Sequence, residues 1–159
     1  MTTLFISDIH ISENYQEINR QFLNFISKIE TEINALYILG DLFEYWLGDD
    51  DSNPIFRDTE KALKNLSNRN ISVFFIHGNR DFLIGNKFAE RTHIEILPDP
   101  YVIEIYGEKI LISHGDIFCT DDIEYQSIRK KTRDPKWQRM ILSKSLEYRK
   151  KFAIESKNK

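Results

Sequence analysis

The chain has 159 residues, 41% of them hydrophobic and 30% charged, with a formal net charge of -3. That apolar content excludes a disordered tail, and the length suits one domain with a real core. A lone cysteine, Cys119, excludes a disulfide framework and a cysteine-based zinc site, and it fits a reducing compartment. No run approaches the roughly 18 apolar residues of a membrane span, and Asp8 comes too early for a signal peptide.

The first two-thirds alternates apolar runs with helical periodicity. Leu4-Phe5-Ile6 reads as a buried strand ending at Ser7-Asp8. Tyr15, Ile18, Phe22, Phe25, Ile26, Ile29 and Ile33 then recur at three- and four-residue spacing, the stripe of an amphipathic helix that Asn14 and Glu17 would cap. Residues 35–39 form the next strand, stopped by Gly40; a helix follows within 55–68, a third strand over 71–76, and a short helix around 84–91. The segments 101–105 and 109–113 read as a hairpin across Tyr106-Gly107-Glu108. From Asp122 the pattern is helical, with Asp134-Pro135 as a cap and first-turn proline. This is an α/β domain with a helical C-terminal extension.

Charge divides along the same line. Residues 121–159 hold 12 of the 22 basic side chains and 6 of the 25 acidic ones, so a basic appendage adjoins an acidic body. Over residues 135–153, Trp137, Met140, Ile141, Leu142, Leu146, Tyr148 and Phe152 alternate with Arg139, Lys144, Arg149, Lys150 and Lys151. That stretch is either a helix packed on the domain or a cap resting on an anionic membrane surface. A nucleic-acid role is not expected, because the body is acidic and the basic residues lie in one helical stretch.

Each apolar strand runs into a polar cluster. These are Ser7-Asp8-Ile9-His10, Gly40-Asp41-Leu42-Phe43-Glu44, His77-Gly78-Asn79-Arg80-Asp81 and, after the hairpin, Ser113-His114-Gly115-Asp116. Sites in open α/β sheets lie outside the carboxyl ends of the strands, so the four clusters should converge. Aspartate, histidine and asparagine together suit divalent Mn²⁺, Fe²⁺ or Zn²⁺. Asp8 and His10 can turn toward one point, and Asp41 has two oxygens with which to bridge two ions, which can hold a phosphate and activate water. Glu44 and Asp81 are expected to orient ligands or cap turns, and Asp116 to hold a histidine or a loop. His77 is expected partly buried, His93 exposed, Cys119 buried, and Asp49-Asp50-Asp51 a solvated turn without the spacing of a calcium loop.

Asp8-x-His10, Gly40-Asp41, Gly78-Asn79 and His114, in that order, resemble the calcineurin-like metallophosphoesterases. Arg80 stands where the broad superfamily has a histidine, which points to a narrower group. The segments 37–44, Trp46-Leu47-Gly48-Asp49-Asp50-Asp51, 75–83 and 114–126 resemble the UDP-2,3-diacylglucosamine hydrolases of lipid A biosynthesis, over nearly the whole chain. The resemblance implies an αββα sandwich and hydrolysis of the pyrophosphate of UDP-2,3-diacylglucosamine to UMP and 2,3-diacylglucosamine 1-phosphate.

It also implies two Mn²⁺ ions, with Fe²⁺, Zn²⁺ or Mg²⁺ as second choices. Asp8 and His10 match the ligands of one ion, Asn79 and His114 those of the other, and Asp41 the bridge. Asn79, Arg80 and Asp122 match substrate contacts, Arg80 serving catalysis by gripping a phosphate through two hydrogen bonds. The implied partner is a nucleotide-sugar lipid, and the implied place is cytoplasmic, peripheral on the inner membrane of a Gram-negative bacterium. Residues 1–121 would form the catalytic core and 122–159 the start of a helical cap in the same domain.

The group's pattern continues into a Gly-His-x-His that this sequence lacks. The expectation is therefore a sandwich truncated at its C-terminus, without the last two metal ligands and the closing strands, with Ser156-Lys157 at the beginning of a polar stretch of the cap. Two other functions compete. A generic metal-dependent phosphodiesterase or phosphatase is disfavoured by Arg80 and by Trp46–Asp51. A catalytically dead remnant or binding scaffold is favoured by the missing histidine pair.

Overall fold

The computed structural model describes residues 2–30 and 32–157; the side chains of Ser156 and Lys157 lie outside what it describes. Four strands, β1 (Thr2–Ile6), β2 (Ile33–Ile38), β3 (Ser72–Ile76) and β4 (Glu95–Leu97), pair in that order and all in parallel. Parallel neighbours need crossovers, supplied here by α1 (Gln16–Lys28), α2 (Pro54–Asn68) and α3 (Asn86–Thr92). With strands added in one direction and crossovers of one hand, all three helices fall on one face of the sheet.

The packing follows. Phe22 and Ile26 of α1, Phe56, Leu63 and Leu66 of α2 and Phe88 of α3 bury against Leu36, Ile38, Val73 and Phe75 of the sheet. On the opposite face, Ile103 and Ile112 of the hairpin β5 (Tyr101–Ile105) and β6 (Glu108–Ile112) cover Tyr37, Ile76 and Leu97. The rings of Phe5, Tyr37 and Phe74 stack in a row across that face. Helices, parallel sheet and second sheet make three layers of an α/β fold, as expected from the alternation of elements.

A short helical turn at Asp116–Phe118 leads to the extension α4 (Ile123–Thr132), α5 (Pro135–Leu142) and α6 (Leu146–Lys157). Asp134 caps α5 as expected, accepting from the backbone of Lys136 and Trp137. The apolar and basic stretch over 135–153 is two helices rather than one, interrupted at residues 143–145. Ile141 and Arg149 are buried on the domain, whereas Met140, Leu142, Tyr148, Phe152 and Ile154 remain exposed.

Several expectations are corrected. Ile33 continues the period of α1 but opens β2, because the chain turns extended at Ile29 to reach the sheet. Asn14 does not cap α1: the cap position is Tyr15 without a side-chain bond, and Glu17 pairs with Arg20. The hairpin turn is the two residues Tyr106 and Gly107, both at positive φ, so Glu108 already belongs to β6. Cys119 is exposed rather than buried.

The turn at Asp49 and Asp50 is tied down, although Asp50 remains exposed as expected. Asp49 accepts from the indole of Trp46 and from the backbone N–H of Gly85 and Phe88, holding the first turn of α3. Asp50 takes both ends of the guanidinium of Arg149, which is 3% exposed and also donates to the carbonyls of Leu47 and Lys144.

Candidate metal centre

Beyond the ends of β1 and β2 the two chains keep running side by side. Asp8 N–H donates to Gly40 O, His10 N–H to Asp41 O, Ile11 N–H to Leu42 O and Glu44 N–H back to Ile11 O. Asp8 (φ 57°), His10 (φ 57°) and Asp41 (φ 51°) all adopt the left-handed conformation within this ladder. Such backbone is unfavourable for side-chain-bearing residues and clusters at functional sites. Its effect is to bring Asp41 to the point that Asp8 and His10 face; in regular continuation of the β1–β2 register Asp8 and His10 would share one face and Asp41 would point to the other.

That point is rich in donors. One ligand atom from each of Asp8, His10 and Asp41 lies within 4.8 Å of the others. His10 Nε2 is 3.9 Å from Asp8 Oδ1 and 3.8 Å from Asp41 Oδ2. On the other side, His114 Nε2 is 3.8 Å from Asp41 Oδ1. Donors that share an ion at about 2.0–2.2 Å stand roughly 3–4 Å apart, so both gaps fit a divalent cation. Asp41 faces one imidazole with each oxygen, the arrangement a bridging carboxylate requires.

The imidazoles are prepared for that use. His114 Nδ1–H donates to the carbonyl of Leu39 at 2.9 Å, which leaves the Nε2 lone pair toward Asp41. His10 Nδ1 lies 2.8 Å from Glu44 Oε2, so a carboxylate supports this ring on the side away from Asp8 and Asp41. Partners of this kind fix the tautomer and the orientation of a ligating ring. Burial raises the Asp41 carboxyl above its ordinary range, opposed by the N–H of Arg80 and by both histidines.

The third cluster packs directly on Asp41. A side chain on Gly78 would run into Asp41, and Arg80 N–H donates to Asp41 Oδ1 at 2.8 Å. Asn79, between them, is therefore held at the centre's edge with its side chain exposed. Asp81 is fully buried beneath. It accepts from the N–H of Gly78 and Asp41 on one oxygen and of Leu42 on the other, so one carboxylate stitches the loops of Asp41 and Asn79 together. Burial, with Asp41 adjacent, pushes its pKa up to about 6.

Arg80 is exposed beside this cluster, and its carbonyl accepts from Trp46 N–H. Asp122 caps α4, one carboxylate oxygen accepting from Tyr125 N–H. His77 is partly buried, its Nε2 on the carbonyl of Ile84, and burial lowers its pKa. His93 is exposed, in the left-handed conformation at the end of α3. Asp116 holds a loop rather than a histidine: it accepts from the phenol of Tyr125 at 2.6 Å and pairs with Arg129. Burial alone would raise Asp116, but Tyr125, Arg129 and Arg133 outweigh it and hold its pKa below the ordinary value.

Asp99, Arg129 and Arg133 escaped sequence reasoning. The one available signal was the four-residue spacing of the two arginines, which puts them on one helical face.

A model of the calcineurin-like phosphoesterases matches residues 1–154. Among curated proteins, a UDP-2,3-diacylglucosamine hydrolase of Photorhabdus laumondii is 48% identical over 155 residues, 98% of this chain and 65% of that protein. One of Yersinia pseudotuberculosis is 48% identical over 159 residues, 100% of this chain and 66% of its own length. The chain thus spans slightly less than two-thirds of the curated relatives it matches. Among solved structures, a protein of unknown function from Aquifex aeolicus is 24% identical with a TM-score of 0.47, over 88% of this chain and 70% of that one. With the family model matching residues 1–154 and the α/β layers in place, the chain belongs to the calcineurin-like phosphoesterases.

Proposed function

We propose that the chain carries the metal-binding part of a hydrolase that cleaves the pyrophosphate of UDP-2,3-diacylglucosamine, releasing UMP and 2,3-diacylglucosamine 1-phosphate. The observation that carries the reading is Asp41, with one oxygen toward the Asp8–His10 pair and the other toward His114. Its support is the 48% identity to curated hydrolases of that name. In this reading Asp8, His10 and Asp41 hold one Mn²⁺, and Asp41, Asn79 and His114 hold a second. Bound ions of this kind neutralise phosphate charge and lower the pKa of water. Arg80, exposed beside Asp41, grips a phosphate through its fork of donors. The free oxygen of Asp122 accepts from a sugar or ribose hydroxyl.

Residues 122–159 begin a helical cap over a core of residues 1–121, in one domain. Arg133 on Gly78 and Arg149 on Asp50 support that joint fold. The exposed Met140, Leu142, Tyr148, Phe152 and Ile154, set among Lys144, Lys150 and Lys151, suit acyl chains and the anionic face of a bacterial inner membrane. No helix among the described residues is long and apolar enough to cross a membrane.

The test is UMP release from the lipid substrate in Mn²⁺ and in chelator, by this chain and by a version extended to the length of its relatives. The reading expects Mn²⁺-dependent release, far faster from the extended version. Hydrolysis of simple phosphodiesters without UMP release from the lipid would replace it with a generic phosphodiesterase.

A further inference from the structure

The loops carrying Asn79 and His114 are tied to the end of α4, by Arg129 in its last turn and by Arg133 at its C-cap. Arg133 Nη2 donates to the carbonyl of Gly78 at 2.7 Å, one residue before Asn79. Its guanidinium lies over the ring of Phe82, 5.1 Å from the centroid. One turn earlier, Arg129 Nη2 donates to Asp99 Oδ2 at 2.7 Å, while Asp99 Oδ1 accepts from Ser113 Oγ and from the backbone N–H of His114. Asp116 lies between the two arginines, 3.1 Å from Arg129 Nε and 3.8 Å from Arg133 Nη2.

We propose that Arg129 and Arg133 are positioning residues for one half of the metal centre, the half formed by Asn79 and His114. Both arginines are largely buried. Taking a guanidinium out of water is costly, so stability alone would be served as well by an apolar side chain at these positions. What the guanidiniums add is geometry: one fork reaches the Gly78 carbonyl and the other the Asp99 carboxylate that accepts from His114 N–H, four residues apart along one helical face. Asp8 and His10 are held differently, by the backbone ladder to residues 40–44 and by Glu44. The two halves therefore answer to different parts of the chain, and α4 controls one.

The inference rests on the two-ion reading of the site, and its test separates the two. Mn²⁺ affinity is measured by titration in a His10→Ala background, which leaves the Asn79–His114 half, and in a His114→Ala background, which leaves the Asp8–His10 half. Adding Arg133→Met should weaken Mn²⁺ about tenfold in the first and less than about twofold in the second, the range lost when outer partners of a ligand are removed. Arg133→Lys, which keeps a donor for Gly78 O, should recover most of the loss. It also carries the test if circular dichroism shows the methionine variant unfolded.

Equal weakening in both backgrounds would make Arg133 a general structural residue and overturn the inference, as would no weakening in either. If His10→Ala and His114→Ala themselves leave Mn²⁺ binding unchanged, the two-ion reading falls and takes the inference with it.

Discussion

Replacing Gly40 by alanine separates two energies that the centre combines. Gly40 has φ +89°, and a Cβ there would sit 2.6 Å from Gly78 Cα and 2.7 Å from both Gly78 N and His114 Nδ1. The left-handed backbone alone costs a side-chain-bearing residue about 1–2 kcal/mol. Forcing apart packed atoms adds about 1–3 kcal/mol, and here two of the three atoms are backbone that cannot swing away. Gly107 supplies the control: its φ is +84°, but a Cβ would meet nothing within 4 Å. Gly107→Ala should therefore cost about 1–2 kcal/mol and Gly40→Ala about 2–5 kcal/mol. The entropy lost by the unfolded chain is common to both and cancels.

Urea denaturation in chelator reads the stabilities without a contribution from bound metal, and Mn²⁺ titration reads the site. Gly40→Ala should also lose Mn²⁺, because its Cβ displaces His114 from Leu39 and Gly78 from Asp41. Equal destabilisation by the two substitutions, with Mn²⁺ binding preserved in Gly40→Ala, would refute the close approach of the three loops.

Asp81→Asn points an amide at backbone N–H groups that now share a carboxylate, and each orphaned N–H costs about 1–3 kcal/mol; an unchanged thermal midpoint in chelator would show that the carboxylate does not join the loops. Asp41→Asn should lower bound Mn²⁺ more than Asp8→Asn, as metal analysis of the purified variants can check, and equal loss would argue against a shared ligand. Arg80→Ala should keep its Mn²⁺ yet release UMP at least about tenfold more slowly in the extended chain, if a charge-assisted phosphate contact is lost; retained turnover would refute the assignment. Arg149 lowers the Asp50 carboxyl in the folded state, so its stabilisation is present above the ordinary carboxylate range and fades as pH falls through the depressed folded value. Asp50 is 60% exposed, so the denaturation gap between wild type and Asp50→Asn should be within about 1 kcal/mol at neutral pH and close in acid; a gap that persists in acid would show that the pairing is not its source.

The parts legible in the sequence were those written in local chemistry. Apolar runs that end at Asp8, Gly40 and Gly78 mark strands and the turns beyond them, and the fold places those turns together because parallel strands share one carboxyl end. What escaped was set by tertiary contact. Strand β4 is only Glu95-Ile96-Leu97, too short for alternation to register, and it exists because β3 offers an edge. Ile33 satisfied the helical period by coincidence. Arg129, Arg133 and Arg149 read only as members of a basic appendage, since nothing nearby in sequence announces that Arg129 will meet Asp99, Arg133 the Gly78 carbonyl and Arg149 Asp50. Asp49 likewise read as part of an acidic turn, although its partners are Gly85 and Phe88.

Positive φ at residues other than glycine occurs at six described positions, and three of them are Asp8, His10 and Asp41. The other three need no special explanation: Asn70 follows α2, His93 ends α3 and Tyr106 belongs to the hairpin turn. At the centre, by contrast, the left-handed residues lie in two segments bonded to each other at Asp8–Gly40, His10–Asp41 and Ile11–Leu42, and braced by Asp81 from below. Backbone of this kind persists only where its surroundings over-determine it. Regular continuation of β1 would have kept the same backbone partners at less conformational expense, but would have sent successive side chains to alternate faces. In that regular register Asp41 would face away from Asp8 and His10, so the strained backbone is the means by which Asp41 joins them at one point, and its concentration there is a physical reason, independent of any sequence likeness, to seek function at this point.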